Sequence, residues 1–372
     1  MGLGVQLFYI YKIRNGHPGR GGQLEREKDM KAFRIIAGLA LGVLVGPALA
    51  QNDVPDLAGK RVVWADNGGT VHETYVKAYL EPFAAKTGAE VLSDSPFDYA
   101  RIKAQVEAGN VVQDVITGAP YVIEKNCGTL FEPIPDSFDR SNVEPKYMTG
   151  KCAIPQSVPV FLVMYDKALY GDMPPTSCAD FFDTEKFPGK RGLWSSVIGN
   201  ALEVALLGDG VPADEVYPMD IDRALAKLAT IKNDTTFFAN LAVGSEGMTN
   251  GTFGMLVTAS TRGYDAVVAG AEYAPLWSCA VEQLSTLGVV KGTPNLEAAF
   301  ALSEYVVTPE AQSARMAVTS HSPVTTSYTL PDDELLVSYL QVSHPGSLLM
   351  DNAWWADNFE EVEQRYQQWQ VE

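Results

Sequence analysis

The sequence lacks the signatures of the common enzyme classes. It contains no G-x-S-x-G, H-E-x-x-H, Walker A or G-x-G-x-x-G pattern. Histidine is scarce, with four in 372 residues. Past residue 50 only His72, His321 and His344 remain, far apart, and they read as ordinary surface or turn histidines. None of the four cysteines forms a C-x-x-C, which excludes a thiol redox motif and a zinc ribbon. Basic residues are few: 28 Lys and Arg against 46 Asp and Glu. Counted after Ala50, they number 21 against 43, a net charge of −22 that would repel nucleic acid. No apolar run beyond that point approaches the roughly 20 residues that cross a bilayer.

What is present begins with a targeting segment. Lys31 and Arg34 precede an apolar run from Ile35 to Val45; Pro47 breaks it, and Ala48-Leu49-Ala50 supplies an A-x-A cleavage pattern. The arrangement is that of a secretory signal peptide over residues 30–50, with the working protein starting at Gln51. Met30 is then the expected start of translation. Residues 1–29, with Gly-rich Arg14–Gly22, read as an upstream artefact or atypical extension.

The remaining 322 residues exceed one comfortable core, so two lobes are expected. Cys127, Cys152, Cys178 and Cys279 lie beyond the signal, in an oxidising compartment that favours disulfides. Cys127–Cys152 is the expected bond in the first lobe; Cys178 and Cys279 either pair in the other or stay free. Apolar patterning gives strands at 61–65, 114–117, 160–165, 254–258 and 287–290. Helices are expected at 71–86, 98–108, 198–207, 220–231, 261–270, 295–306, 308–317 and 354–369. This alternation predicts an α/β fold, each lobe a mixed, mainly parallel sheet flanked by helices.

In open parallel sheets, ligands bind beyond the C-terminal strand ends. Asn67-Gly68-Gly69-Thr70 follows the first strand and Gly118-Ala119 the third. Glycines there let backbone approach a ligand closely, so both turns are candidates for one wall of a cleft.

Several segments carry a resemblance. Phe97–Val106, Tyr165-Asp166-Lys167, Thr176–Asp183, Lys186–Gly192, Pro309–Gln312 and Trp354–Asn358, in this order and spacing, resemble bacterial extracellular solute-binding proteins of the group around spermidine/putrescine binders. The resemblance covers most of residues 60–370. It implies a type II-like periplasmic-binding-protein fold: two hinged α/β lobes that trap a solute and deliver it to an inner-membrane ABC permease. The expected lobes are 60–157 with 286–324, and 158–285 with 325–372. Crossings are expected at Pro155–Pro159, from Gln283 to Leu287, and near Ser322-Pro323. Such a receptor is expected to be periplasmic and monomeric, with no cofactor, metal or catalytic group.

The ligand is the harder inference. Polyamine binders pair carboxylates with amines and line the methylene chain with aromatics. Where that pattern has acids, this chain carries Ser195–Asn200 and Ser285; where it has an aromatic, Val257–Ser260. Arg262 instead follows the strand at 254–258, at a helix start, and guanidinium recognises carboxylate with two parallel hydrogen bonds. The expectation is a small carboxylate-bearing solute, amino-acid-like or an organic acid, held by Arg262 with Ser196, Asn200, Ser260 and Ser285 as neutral partners. Gln156, in the first crossing, joins the candidates. The competing role of Arg262 is a surface ion pair with Asp265 or Glu272. A polyamine is the alternative, drawing on Asp66 and Glu282. A periplasmic hydrolase, marked by a His or carboxylate beside a cleft serine, is another. Tyr121 and Tyr264 would be needed for ferric iron. Trp277 is either a pocket wall or core, and Trp354 and Trp355 are expected to pack.

Overall fold

The computed structural model describes residues 55–148 and 150–372. The signal-peptide, cleavage-site and upstream-extension expectations lie outside these residues.

Two sheets organise the chain. The first has the order β2-β1-β3-β10-β4, from β1 (Arg61–Ala65), β2 (Glu90–Ser93), β3 (Val115–Gly118), β4 (Ile154–Ser157) and β10 (Ser285–Val289). The second runs β11-β9-β5-β8-β6-β7. Its strands are β5 (Val160–Asp166), β6 (Arg191–Trp194), β7 (Thr235–Phe238), β8 (Met255–Ala259), β9 (Tyr273–Glu282) and β11 (Leu348–Leu349). The sheets are mixed, as expected, with parallel pairings β1–β2, β1–β3, β9–β11, β6–β7 and β6–β8. β10 runs antiparallel to β3 and β4, and β5 runs antiparallel to β8 and β9. The reason is connectivity: β5 and β10 carry the chain between lobes and enter each sheet against its βαβ strands.

The first lobe is built on β1. Its Val62–Ala65 is buried throughout, as a parallel strand covered on both faces must be. After the turn, the chain is helical from Gly69 to Thr87, with a π-turn at Val76–Leu80, and ends on left-handed Gly88. Tyr75 and Tyr79 stack 6.0 Å apart and pack on Trp64. Asp98 caps Tyr99–Glu107 through the Ala100 amide. Cys127 and Cys152 are bonded, with 5.5 Å between Cα atoms.

The second lobe closes around Ala201–Gly208, whose residues are buried on nearly every side. Cys178 and Cys279 are also bonded, tying a short helical segment to β9. Helix Asn352–Val371, capped by Asp351, buries Trp355, Val362 and Tyr366 on this core. Its Phe359 reaches over to stack on Tyr121 of the first lobe, 5.4 Å between centroids.

The chain passes between the sheets where β4 gives way to β5 and where β9 gives way to β10. The two passages are bonded together through the Gln283 amide and Pro159 carbonyl, 2.9 Å. A third segment adjoins them: Val158 and Ser322 form an isolated bridge, exchanging backbone hydrogen bonds of 2.8 and 3.0 Å.

Candidate functional site

A cavity of about 390 Å³ lies between the lobes. Its first-lobe wall is Thr70, Val71 and Thr74 from the helix after β1, with Val318–His321 from the segment entering the hinge. Its second-lobe wall is Phe161, Trp194, Leu241, Ala259, Thr261, Arg262, Tyr264 and Asp265, at the ends of β8 and β6 and along the helix that follows β8. The floor is Pro159 and Gln283 of the hinge. The placement follows the rule that strand C-terminal ends make the site.

Arg262 lies on helix Ser260–Val268, which starts directly after β8. Among the described residues it makes no hydrogen bond, and no carboxylate lies within 4 Å of it. Asp265, one turn on, interacts with it only at longer range. Burial pushes the Asp265 carboxyl up, and the Arg262 charge pulls it partly back. Among the described residues, one wall of the cavity thus carries a guanidinium and a carboxylate, each without a hydrogen-bond partner. Trp194 and Phe161, stacked with centroids 6.3 Å apart, give it an aromatic side. Their placement was hidden in the sequence, because Trp194 ends a four-residue strand with little periodicity to orient it.

Other candidates have internal work. Asn200 is fully buried in the left-handed region (φ 56°) and accepts from Gln283 Nε2 at 2.5 Å. Ser196 bonds Glu363 of the C-terminal helix at 3.2 Å. Ser260 is buried against Ser320, 3.3 Å between hydroxyls, and joins helix Ser260–Val268 to the first-lobe wall. Ser285 donates to Gln156 Oε1 at 2.7 Å inside the hinge, where the Gln156 Nε2 is buried without a partner among the described residues. Thr70 lines the cavity; Asn67, Gly68 and Gly69 form the turn before it, with Gly68 and Gly69 at φ 74° and 65°. Gly118 is a packing position, since a Cβ there would meet the Tyr99 hydroxyl at 2.5 Å. Ala119 lines a smaller neighbouring cavity with Tyr121 and Phe359.

The acids that an amine ligand would draw on are engaged. Asp66 accepts from Trp64 Nε1 (2.8 Å), the Gly68 amide (2.6 Å) and His72 Nδ1 (2.8 Å). Glu282 is bonded to Tyr147 at 2.9 Å and Lys146 at 3.2 Å. Tyr121 and Tyr264 line different cavities, and the Tyr264 hydroxyl donates to Asp333 at 3.0 Å, so they do not converge on one ion. Trp277 stacks on His344 at 4.0 Å, away from the cleft. Trp355 is buried and Trp354 packs on Tyr217.

One serine does meet a histidine: Ser157 Oγ lies 3.2 Å from His321 Nδ1. Ser157 is fully buried, and the ring faces the Arg315 guanidinium. Burial, and then that charge, push the His321 pKa well down. A base that must become imidazolium is disfavoured there.

Comparison with known proteins agrees with this architecture. The profile of the bacterial extracellular solute-binding protein family matches residues 78–337. A gamma-aminobutyric acid-binding protein of Pseudomonas aeruginosa is 30% identical over 319 residues, spanning 81% of this chain and 88% of that one. A solved GABA receptor is 30% identical and superposes with a TM-score of 0.76, covering 83% of this chain and 97% of its own. An ABC transporter substrate-binding protein from Bradyrhizobium japonicum, 26% identical, gives 0.77 with 83% and 99% covered. The match shows the extracellular solute-binding family.

Proposed function

This chain belongs to the bacterial extracellular solute-binding proteins, and from that premise we propose that it captures a small carboxylate-bearing solute of the amino-acid type for an ABC importer. With cleavage before Gln51 it works in the periplasm and hands its ligand to an inner-membrane permease. The single observation that carries the ligand class is Arg262: a guanidinium in the cavity wall with no internal partner among the described residues. A carboxylate enclosed by closing lobes needs such a partner, since an unpaired buried charge costs several kcal/mol. Asp265 on the same wall suits an ammonium, so a zwitterion with separated charges fits both groups. Relatives named for γ-aminobutyrate support that choice. Among the described residues a diamine would find one carboxylate lining this cavity, Asp265, since Asp66 and Glu282 lie outside it and are bonded internally.

Titration calorimetry with γ-aminobutyrate, succinate, putrescine and spermidine tests the proposal. Truncating one partner of a buried charge pair costs about 2–5 kcal/mol. Arg262→Ala should therefore weaken γ-aminobutyrate binding roughly 30-fold or more, at about 1.4 kcal/mol per tenfold. Arg262→Lys should recover part of it, since a point charge lacks the two-pronged contact. Tight putrescine binding that survives Arg262→Ala would overturn the ligand class.

A further inference from the structure

The first-lobe side of the cavity is backed by a second guanidinium, almost wholly buried. Arg315, on helix Pro309–Met316, is 1% exposed, with no carboxylate within 4 Å among the described residues. It lies 4.2 Å over the Tyr75 ring. One terminal nitrogen donates to Thr74 Oγ1, the other lies 3.5 Å from His321 Nδ1, and its Nε has no partner among the described residues. Both side chains that it grips, Thr74 and His321, line the cavity.

This contact bears on the state of His321. A guanidinium nitrogen can only donate, so an N–H on Nδ1 would face another N–H beside a positive charge, and the geometry places the proton of a neutral ring on Nε2. Ser157 Oγ, 3.2 Å from the same Nδ1, is the nearer donor to its single lone pair, with the Arg315 nitrogen behind it at 3.5 Å. Among the described residues Nε2 has no hydrogen-bond partner, while the ring borders the cavity. The wall opposite Arg262 thus offers one N–H donor, backed by a positive charge.

We propose that His321 is the first-lobe half of the carboxylate clamp: its Nε2–H donates to the carboxylate that Arg262 grips from the second lobe, and Arg315 positions the ring in that tautomer. The inference rests on the carboxylate reading of the ligand and adds that the carboxylate bridges the lobes. One carboxylate accepts both, since two lone pairs remain beyond a two-pronged guanidinium contact.

Calorimetry with γ-aminobutyrate as the probe, and succinate and putrescine as comparison arms, separates the outcomes. His321→Ala should weaken γ-aminobutyrate binding about tenfold or more, as loss of a hydrogen bond to a charged group does. His321→Gln should recover part of it through its amide N–H. Where Arg262→Ala weakens binding and His321→Ala leaves it within about twofold, the clamp is wrong and the ligand class stands. Where the wild type binds putrescine alone, both fall. Nitrogen-15 histidine spectra test the role of Arg315 directly. The unliganded wild type should show the Nε2–H tautomer for His321, with Nε2 the nitrogen that shifts on adding γ-aminobutyrate. Arg315→Met should mix the tautomers; if that variant does not fold, the wild-type spectrum decides alone. An Nδ1–H ring in the wild type would overturn the proposal.

Discussion

At the scale of single residues, chemistry is divided between groups the fold has used and groups it has left over. Arg191 is fully buried, yet its guanidinium is spent on the carbonyls of Phe181, Gly189 and Phe187. Glu203 is the contrasting case on the acidic side. It is enclosed in the second core, with Oε1 bonded to Tyr217 (2.7 Å) and Trp355 (3.1 Å) and Oε2 unpartnered among the described residues. Burial raises its pKa above 4.5 despite those bonds. For an acid the sign is clear: the native state holds the proton more tightly, so stability falls as pH rises from 4.5 through the native pKa. Glu203→Gln should flatten that fall. Denaturant unfolding at pH 5 and pH 8 reads it directly; equal pH dependence in wild type and variant would place the effect elsewhere.

At the scale of elements, two turns chosen for the same reason have different jobs. Gly68 and Gly69 lie in the left-handed region, and a Cβ at Gly69 would meet nothing within 4 Å. Gly69→Ala should therefore cost about 1–2 kcal/mol through backbone strain alone, measured as a lower denaturation midpoint with unchanged slope. A drop several times larger would mean that the turn has packing the present geometry lacks. Gly118 has no positive φ but sits under the Tyr99 hydroxyl, so Gly118→Ala must displace a ring. Sequence sees both as glycines at strand ends. It cannot see which neighbour stands over them, because Tyr99 arrives from a different helix.

At the scale of the molecule, three adjoining hinge segments and a cavity with polar groups on both walls make closure the expected response to ligand. Solution scattering should show a smaller radius of gyration with saturating γ-aminobutyrate, and no change for Arg262→Ala at the same concentration. An unchanged radius in the wild type, with binding shown by calorimetry, would argue against hinged capture. The C-terminal helix bears on this motion, since Phe359 on Tyr121 links it to the first lobe.

The sequence by itself determined the α/β class, the solute-binding family and the buried strands Arg61–Ala65 and Val160–Asp166, because burial on both faces leaves a continuous apolar run that local pattern reports. It also singled out Arg262, whose position just past a strand end is a local feature. Short strands such as Ile154–Ser157 and Arg191–Trp194 carry too few residues to show a period. Strand direction, and hence which strands run antiparallel, depends on where the chain crosses between lobes. Only the tertiary structure decided which polar residues remain free. Asn200, Ser196, Ser260 and Ser285 looked available and are bonded within the fold, whereas Arg315 and His321, six residues apart on no shared motif, meet across a helix end and the hinge. Hydrogen-bond partners distant in sequence are set by packing, and no local pattern encodes them.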